Sequence, residues 1–243
     1  MEQSDFLVLL KAGFSANGLE RYTSEPYATA FWRLTERMTE VNAVMNLTAI
    51  TEPAVVIAKH YADSLLFLTD LPEGASLLDV GCGAGFPSLP LAIVRPDLRI
   101  TALDSTAKRV NYVAETAAEL GLSNLRTITA RAEEAGQDPN LREKFDFVTA
   151  RAVAAMPVLC ELCLPFVRVG GSFLALKGRL GDEADAARKA VQTLGGSLSE
   201  TRGGLLRCPD GATEERTLLT IRKTSPCPAR YPRPYAQIAK KPL

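Results

Sequence analysis

Through about Asp70 the apolar residues recur at helical spacing, which predicts helices near 5–11, 26–44 and 53–68. No strand-like run interrupts them, so residues 1–72 read as an N-terminal helical extension. From Ser76 the pattern changes. Short apolar runs at 77–80, 99–103, 125–130, 145–150 and 172–176 alternate with helical segments that begin near Pro87, span 108–120 up to Gly121, and occupy 156–166 and 183–194. Such alternation predicts an α/β fold whose mostly parallel sheet is covered on both faces. A weaker strand before Cys208 and a last one at 217–221 suit an antiparallel insertion. That assigns 73–223 to the α/β domain and 224–243 to a basic, proline-rich tail.

The first of these strands runs directly into Gly81-Cys82-Gly83-Ala84-Gly85-Phe86. Glycines there allow a tight turn and let a ligand lie against bare main chain. Their spacing selects among nucleotide loops. A dinucleotide fingerprint needs glycine where Phe86 stands, and a P-loop needs a lysine that does not follow. What remains is the Gly-x-Gly-x-Gly loop of class I methyltransferases, whose donor is S-adenosylmethionine. Asp104 closes the second strand, about 20 residues on, where a carboxylate accepts ribose hydroxyls. Ser105 follows it. A turn glycine and a helix-capping Asp would each be unremarkable alone; together, at this separation, they favour the donor site.

Ligands in open parallel sheets bind beyond the strand C-termini, which makes Asp104, Glu133, Arg151 and Lys177 the candidate site. Glu133 is placed to bond the adenine amine, with the Ala132 and Glu133 main chain reading the ring edge. Arg151 is placed on the acceptor side, as a fork for a carboxylate or phosphate. Each could instead be a structural ion pair or a cap.

Composition narrows the setting. The 28 basic and 28 acidic residues cancel, which excludes an evenly cationic protein. After Glu215, however, the chain has no acid, while Arg216, Arg222, Lys223, Arg230, Arg233, Lys240 and Lys241 accumulate beside Tyr231, Tyr235 and five prolines. Basic groups beside aromatic rings suit RNA; a proline-rich tail that merely wraps the domain is the other reading. Five cysteines in no framework spacing fit reduced thiols. Cys160 and Cys163 form a Cys-x-x-Cys pair, but their apolar setting suggests a packed helix, and no metal is expected. The early apolar run 6–10 is too short for a signal peptide or membrane span, so the expectation is a cytoplasmic protein.

Taken over nearly its whole length, the chain resembles the bacterial small-subunit ribosomal RNA guanine-N7 methyltransferases of the GidB/RsmG family. The resemblance is carried by Asn46-Leu47-Thr48-Ala49-Ile50, by Lys59-His60 with Asp63-Ser64-Leu65, and by the stretch from Gly85-Phe86-Pro87-Ser88 to Ile93. It continues in Lys108-Arg109-Val110, Arg131-Ala132-Glu133, Ala150-Arg151-Ala152, Ala175-Leu176-Lys177-Gly178, Tyr231-Pro232-Arg233 and Lys241-Pro242-Leu243. Ser88 departs from it, standing where the family usually has glycine.

The resemblance implies a Rossmann-like seven-stranded domain with a helical cap. It implies methyl transfer to N7 of a guanine in the 530 loop of 16S ribosomal RNA, leaving S-adenosylhomocysteine. Donor positions fall on Gly81, Phe86, Ala132, Glu133 and Arg151, with Asp104 at the ribose; Gly83, Gly85 and Ser105 complete the expected pocket. Guanine N7 carries a free lone pair and loses no proton, so no general base is needed and positioning dominates. Consistent with that, the Asn/Asp-Pro-Pro-aromatic motif of amino methyltransferases is absent after the fourth strand, and so is the Pro-Cys of cytosine-C5 enzymes. Arg151, Lys177 and Arg216 are the expected catalytic-side residues, and Lys108, Arg109, Arg131, Arg230 and Arg233 the expected RNA contacts. His60, the only histidine, reads as a hydrogen-bonded helix residue, with closure over substrate as the alternative. The expected partner is 16S RNA or the 30S subunit, met by a monomer. Two rival functions share the glycine loop: a small-molecule methyltransferase, and an assembly factor that holds the donor without turnover.

Overall fold

The computed structural model describes residues 1–151 and 153–243. Ala152, part of the Ala150-Arg151-Ala152 motif, lies outside the described residues. The described residues form one seven-stranded sheet in the order β3-β2-β1-β4-β5-β7-β6. Its strands are β1 Ser76–Val80, β2 Arg99–Asp104, β3 Leu125–Thr129, β4 Phe145–Arg151, β5 Val167–Lys177, β6 Gly196–Arg207 and β7 Thr213–Lys223. The first five are parallel, and β7 pairs antiparallel with both β5 and β6. Strand order therefore reverses between β1 and β4, which opens a crevice beyond their C-terminal ends.

Strand alternation explains the two cores. Leu77, Leu174 and Leu176 join one apolar cluster, whereas Leu78, Phe173 and Ala175 join the other; successive side chains leave opposite faces. The first cluster is completed by α1 Gln3–Ala16 and α2 Tyr27–Met45 through Phe6, Leu10, Phe14, Phe31 and Leu34, all fully buried. The N-terminal helices thus share a core with the sheet. Burying each such side chain contributes roughly 1.5–3 kcal/mol.

Several elements exceed their sequence outlines. The expected helix at 53–68 begins as α3 Pro53–Val56, widens into a π-helix at Ile57–Ala62 and closes as α4 Asp63–Leu65. The carboxylate of Glu52 caps it by accepting from the Ala54 and Val55 amides. β5 starts at Val167 rather than 172, and β6, expected to be weak, runs twelve residues because β7 supplies a full antiparallel partner. The remaining helices are α5 Ser88–Val94, α6 Ala107–Glu119, α7 Ala132–Ala135, α8 Met156–Cys163, α9 Glu183–Thr193 and α10 Tyr235–Lys240. Cys160 and Cys163 are buried free thiols on α8, and burial pushes the Cys160 thiol up to about 12. No helix is long and apolar enough to cross a membrane among the described residues.

The tail takes the wrapping course that the sequence left open. It straps the second core, with Cys227, Tyr231 and Ile238 buried, and leaves Arg230, Lys240 and Lys241 exposed. Arg142 donates to the carbonyls of Cys227 and Tyr231, and Gln137 to that of Pro232. Arg233, expected to contact RNA, forks onto Glu161 at 2.8 and 2.6 Å, while its amide donates to the same carboxylate. Glu161 is fully buried, so it needs this cation for its own charge balance.

Candidate active site

The glycine corner is tied to the end of β2. The amides of Gly81 and Cys82 both donate to the Leu103 carbonyl, at 2.8 and 3.0 Å. Gly83, at φ +55°, donates its amide to Asp104 Oδ2 at 3.0 Å. Around the place where a Gly83 Cβ would stand, the nearest atom is the Gly81 carbonyl oxygen, 4.0 Å off. The main chain is therefore open to a ligand there. Asp104 Oδ1 accepts from the Thr106 amide; a carboxylate has about four lone-pair sites, which leaves about two for ribose hydroxyls.

Beneath the corner, Ser88 donates to Asp79 Oδ2 at 2.6 Å, with both residues fully buried. The serine at the family's glycine position is thus absorbed by a hydrogen bond. Burial pushes the Asp79 carboxyl up to about 6, against the pull of Ser88.

Two adjoining hollows lie along the crevice. One, of about 360 Å³, is bordered by Asp104, Ser105, Ala132, Glu133, Val153, Leu162 and Tyr235. The other, of about 560 Å³, is bordered by Thr48, His60, Asp63, Phe86, Lys177 and Arg216. Gly81, Arg109 and Arg151 border both. Each hollow lies within the size range of small-molecule sites, and their shared wall sits at the strand-order reversal.

The larger hollow is lined by charged side chains. Arg151, ending β4, donates to Asp63 Oδ2 at 3.1 Å and to the Lys59 carbonyl at 3.0 Å. Arg216, on β7, donates to Asp63 Oδ1 at 2.5 Å and to Glu214 at 2.8 Å. Lys59 completes the cluster on Glu214 at 2.6 Å. Three cations face two carboxylates, so the group carries a net positive charge. The wide π-turn brings Lys59, His60 and Asp63 to this point, and π-bulges are frequent at functional sites.

Phe86 is the apolar wall. His60 stacks on its ring, with centroids 4.4 Å apart and planes within 10°, and the Arg151 guanidinium lies 5.7 Å from its centroid. His60 Nε2 bonds Thr48 Oγ1 at 2.8 Å, while Nδ1 is buried without a partner among the described residues. Burial, aided by the Arg151 charge, pushes the imidazole down to about 4. It is neutral at physiological pH.

The expected site residues divide accordingly. Gly81, Gly83, Phe86, Asp104, Ser105, Ala132, Glu133, Arg151, Lys177 and Arg216 border the two hollows. Gly85 instead packs beneath the turn against Leu89 and Val113. Glu133 already holds Arg131 at 2.5 Å, and Lys177 holds Glu183 at 2.7 Å. Lys108 and Arg109 are exposed on the first turn of α6, but only Arg109 borders the hollows. Arg230 is exposed against the Tyr231 ring, and Arg131 lies over Tyr235. Asp63, Lys59, Thr48 and Glu214 were not among the expected site residues. A signal existed for the first two: Lys59 and Asp63 stand four apart, on one face of a helix.

A model of the family described as GidB, rRNA small subunit methyltransferase G, matches residues 28–205. The chain belongs to the GidB family. Ribosomal RNA small subunit methyltransferase G of Lactobacillus delbrueckii subsp. bulgaricus is 47% identical, over 86% of this chain and 88% of that one. The protein of the same name from Deinococcus radiodurans is 46% identical, over 93% and 88%. Among solved structures, M. jannaschii TYW2 in complex with AdoMet superposes with a TM-score of 0.55 at 15% identity, over 72% of this chain and 79% of that one. That likeness shows the fold alone. As a GidB family member the chain is an S-adenosylmethionine-dependent ribosomal RNA methyltransferase, and the open corner beside Asp104 fits that donor.

Proposed function

We propose that this enzyme methylates N7 of a guanine in the 530 loop of 16S ribosomal RNA, with donor and acceptor meeting where Gly81 and Arg151 border both hollows. S-adenosylmethionine supplies an electrophilic methyl on a sulfonium. The N7 lone pair forms the new C–N bond while the S–C electrons pass to sulfur, and no proton leaves. The side chains therefore have little acid-base work. His60, neutral and hydrogen-bonded to Thr48, builds a wall with Phe86. Arg151 and Arg216 offer donors to guanine O6 and to phosphates. Methylation leaves the guanine cationic, and Asp63 and Glu214 temper the positive field it must enter.

The observation that carries this reading is the arginine-lined acceptor hollow continuous with the glycine corner. A small-molecule methyltransferase would need a closed apolar acceptor pocket, whereas this rim bears Arg151, Lys177 and Arg216. Arg109, exposed at the junction, extends the cationic path, with Lys108, Arg131 and Arg230 as outlying phosphate contacts. The reading places a monomeric enzyme in the cytoplasm, acting on 16S RNA, free or within the 30S subunit.

The test is to map N7-methylguanine in small-subunit RNA from cells with and without the protein, and to offer the purified enzyme naked 16S RNA and 30S subunits. One 530-loop guanine should lose its methyl without the enzyme and gain it in at least one of the two substrates. Methylation elsewhere, or none on either substrate, would overturn the assignment.

A further inference from the structure

The tail contains two aromatic residues, and the fold treats them oppositely. Tyr231 is buried, whereas Tyr235, at the start of α10, is 41% exposed and borders the smaller hollow with Asp104, Ser105, Ala132 and Glu133. Its backbone does not depend on its ring. Arg233 two residues before it is held by Glu161, Pro232 accepts from Gln137, and Ile238 is fully buried three residues after it. Gly136 leaves room for the strap, since a Cβ there would stand 2.9 Å from Pro232 Cγ. The ring itself is oriented from one side: the Arg131 guanidinium lies 5.2 Å from its centroid and is fixed in turn by Glu133.

We propose that Tyr235 is a donor-binding residue, its ring forming the outer wall against which the adenosine end of S-adenosylmethionine packs. Asp104 identifies which end lies here, because its carboxylate is the group suited to ribose hydroxyls. An exposed aromatic ring beside that carboxylate gains contact area and stacking when a purine nucleoside enters. Arg131, besides any phosphate contact it makes, steadies the ring on the donor side. Tyr235 lies beyond the segment 28–205 matched by the family model.

The experiment titrates S-adenosylhomocysteine and, separately, 5′-methylthioadenosine into the full chain carrying Tyr235→Ala or Tyr235→Phe, without RNA. Tyr235→Ala should weaken both ligands by the same factor, about tenfold, the size of a lost base–aromatic stack. Tyr235→Phe should stay within about twofold. If Tyr235→Ala does not fold, Tyr235→Gln carries the test with the same expectation. Wild-type affinity in the folded Ala or Gln variant would overturn the proposal, and so would an equal loss in Tyr235→Phe. It would likewise fall if the variant kept donor affinity and lost only RNA binding. The proposal rests on the family's donor and not on the RNA target, so its failure is separable from that of the guanine assignment.

Discussion

The glycine corner and the charged cluster that face each other across the crevice are built from different materials. The donor corner is a main-chain turn, Gly81 to Gly85, held by amides that donate to Leu103 and Asp104 about twenty residues on. The acceptor side presents Asp63, Arg151 and Arg216, backed by Lys59 and Glu214 in one ion-pair cluster on elements far apart in the chain. A backbone cradle tolerates little change in shape. A charge cluster tolerates a change of shape better than a change of charge.

The strap sets the outer limit of the donor side, and its ion pair should give the largest effect. Arg233→Ala leaves the buried Glu161 carboxylate unpaired and should cost about 3–5 kcal/mol in denaturant unfolding. An unchanged midpoint with a selective loss of RNA binding would return Arg233 to the RNA surface. Next comes Gly85→Ala. The position has φ +84°, and a Cβ there would stand 2.5 Å from Leu89 Cδ1 and 3.1 Å from Val113 Cγ2. Left-handed strain and overpacking together should cost about 2–4 kcal/mol, with S-adenosylhomocysteine affinity falling in parallel. A variant as stable as wild type would deny that the corner is a rigid cradle.

The smallest effect sharpens the acceptor side. The single histidine gives a single set of imidazole proton resonances, which should titrate near pH 4 rather than 6.5. Because the folded value lies below the unfolded one, the unfolded chain binds more protons between these values. This group therefore removes stability as pH falls from about 6.5 to 4. Arg151→Gln should move the midpoint upward. A wild-type midpoint near 6.5 would mean that His60 is neither buried nor beside Arg151 in solution.

The contrast also explains what could be read from the sequence. The strands, their mostly parallel order and the donor corner follow from local signals: apolar runs, glycine spacing and an acid at the next strand end. The acceptor cluster does not. Arg151 and Arg216 are visible as basic residues at or near strand ends, but their joint grip on Asp63 depends on a π-turn that no helical period announces. The tail stayed open between two readings for a related reason. Tyr and Arg interleaved with Pro look the same whether they face RNA or fold back, and only the buried Glu161 on α8 decides that Arg233 turns inward.

The separation of donor from acceptor is the central claim, and Asp63→Asn tests it most directly. The substitution removes the charge that Arg151 and Arg216 share while leaving the glycine corner untouched. S-adenosylhomocysteine affinity should stay within about twofold, and kcat/KM for ribosomal RNA should fall by about 100-fold. Unchanged turnover, or an equal collapse of donor binding, would contradict the account.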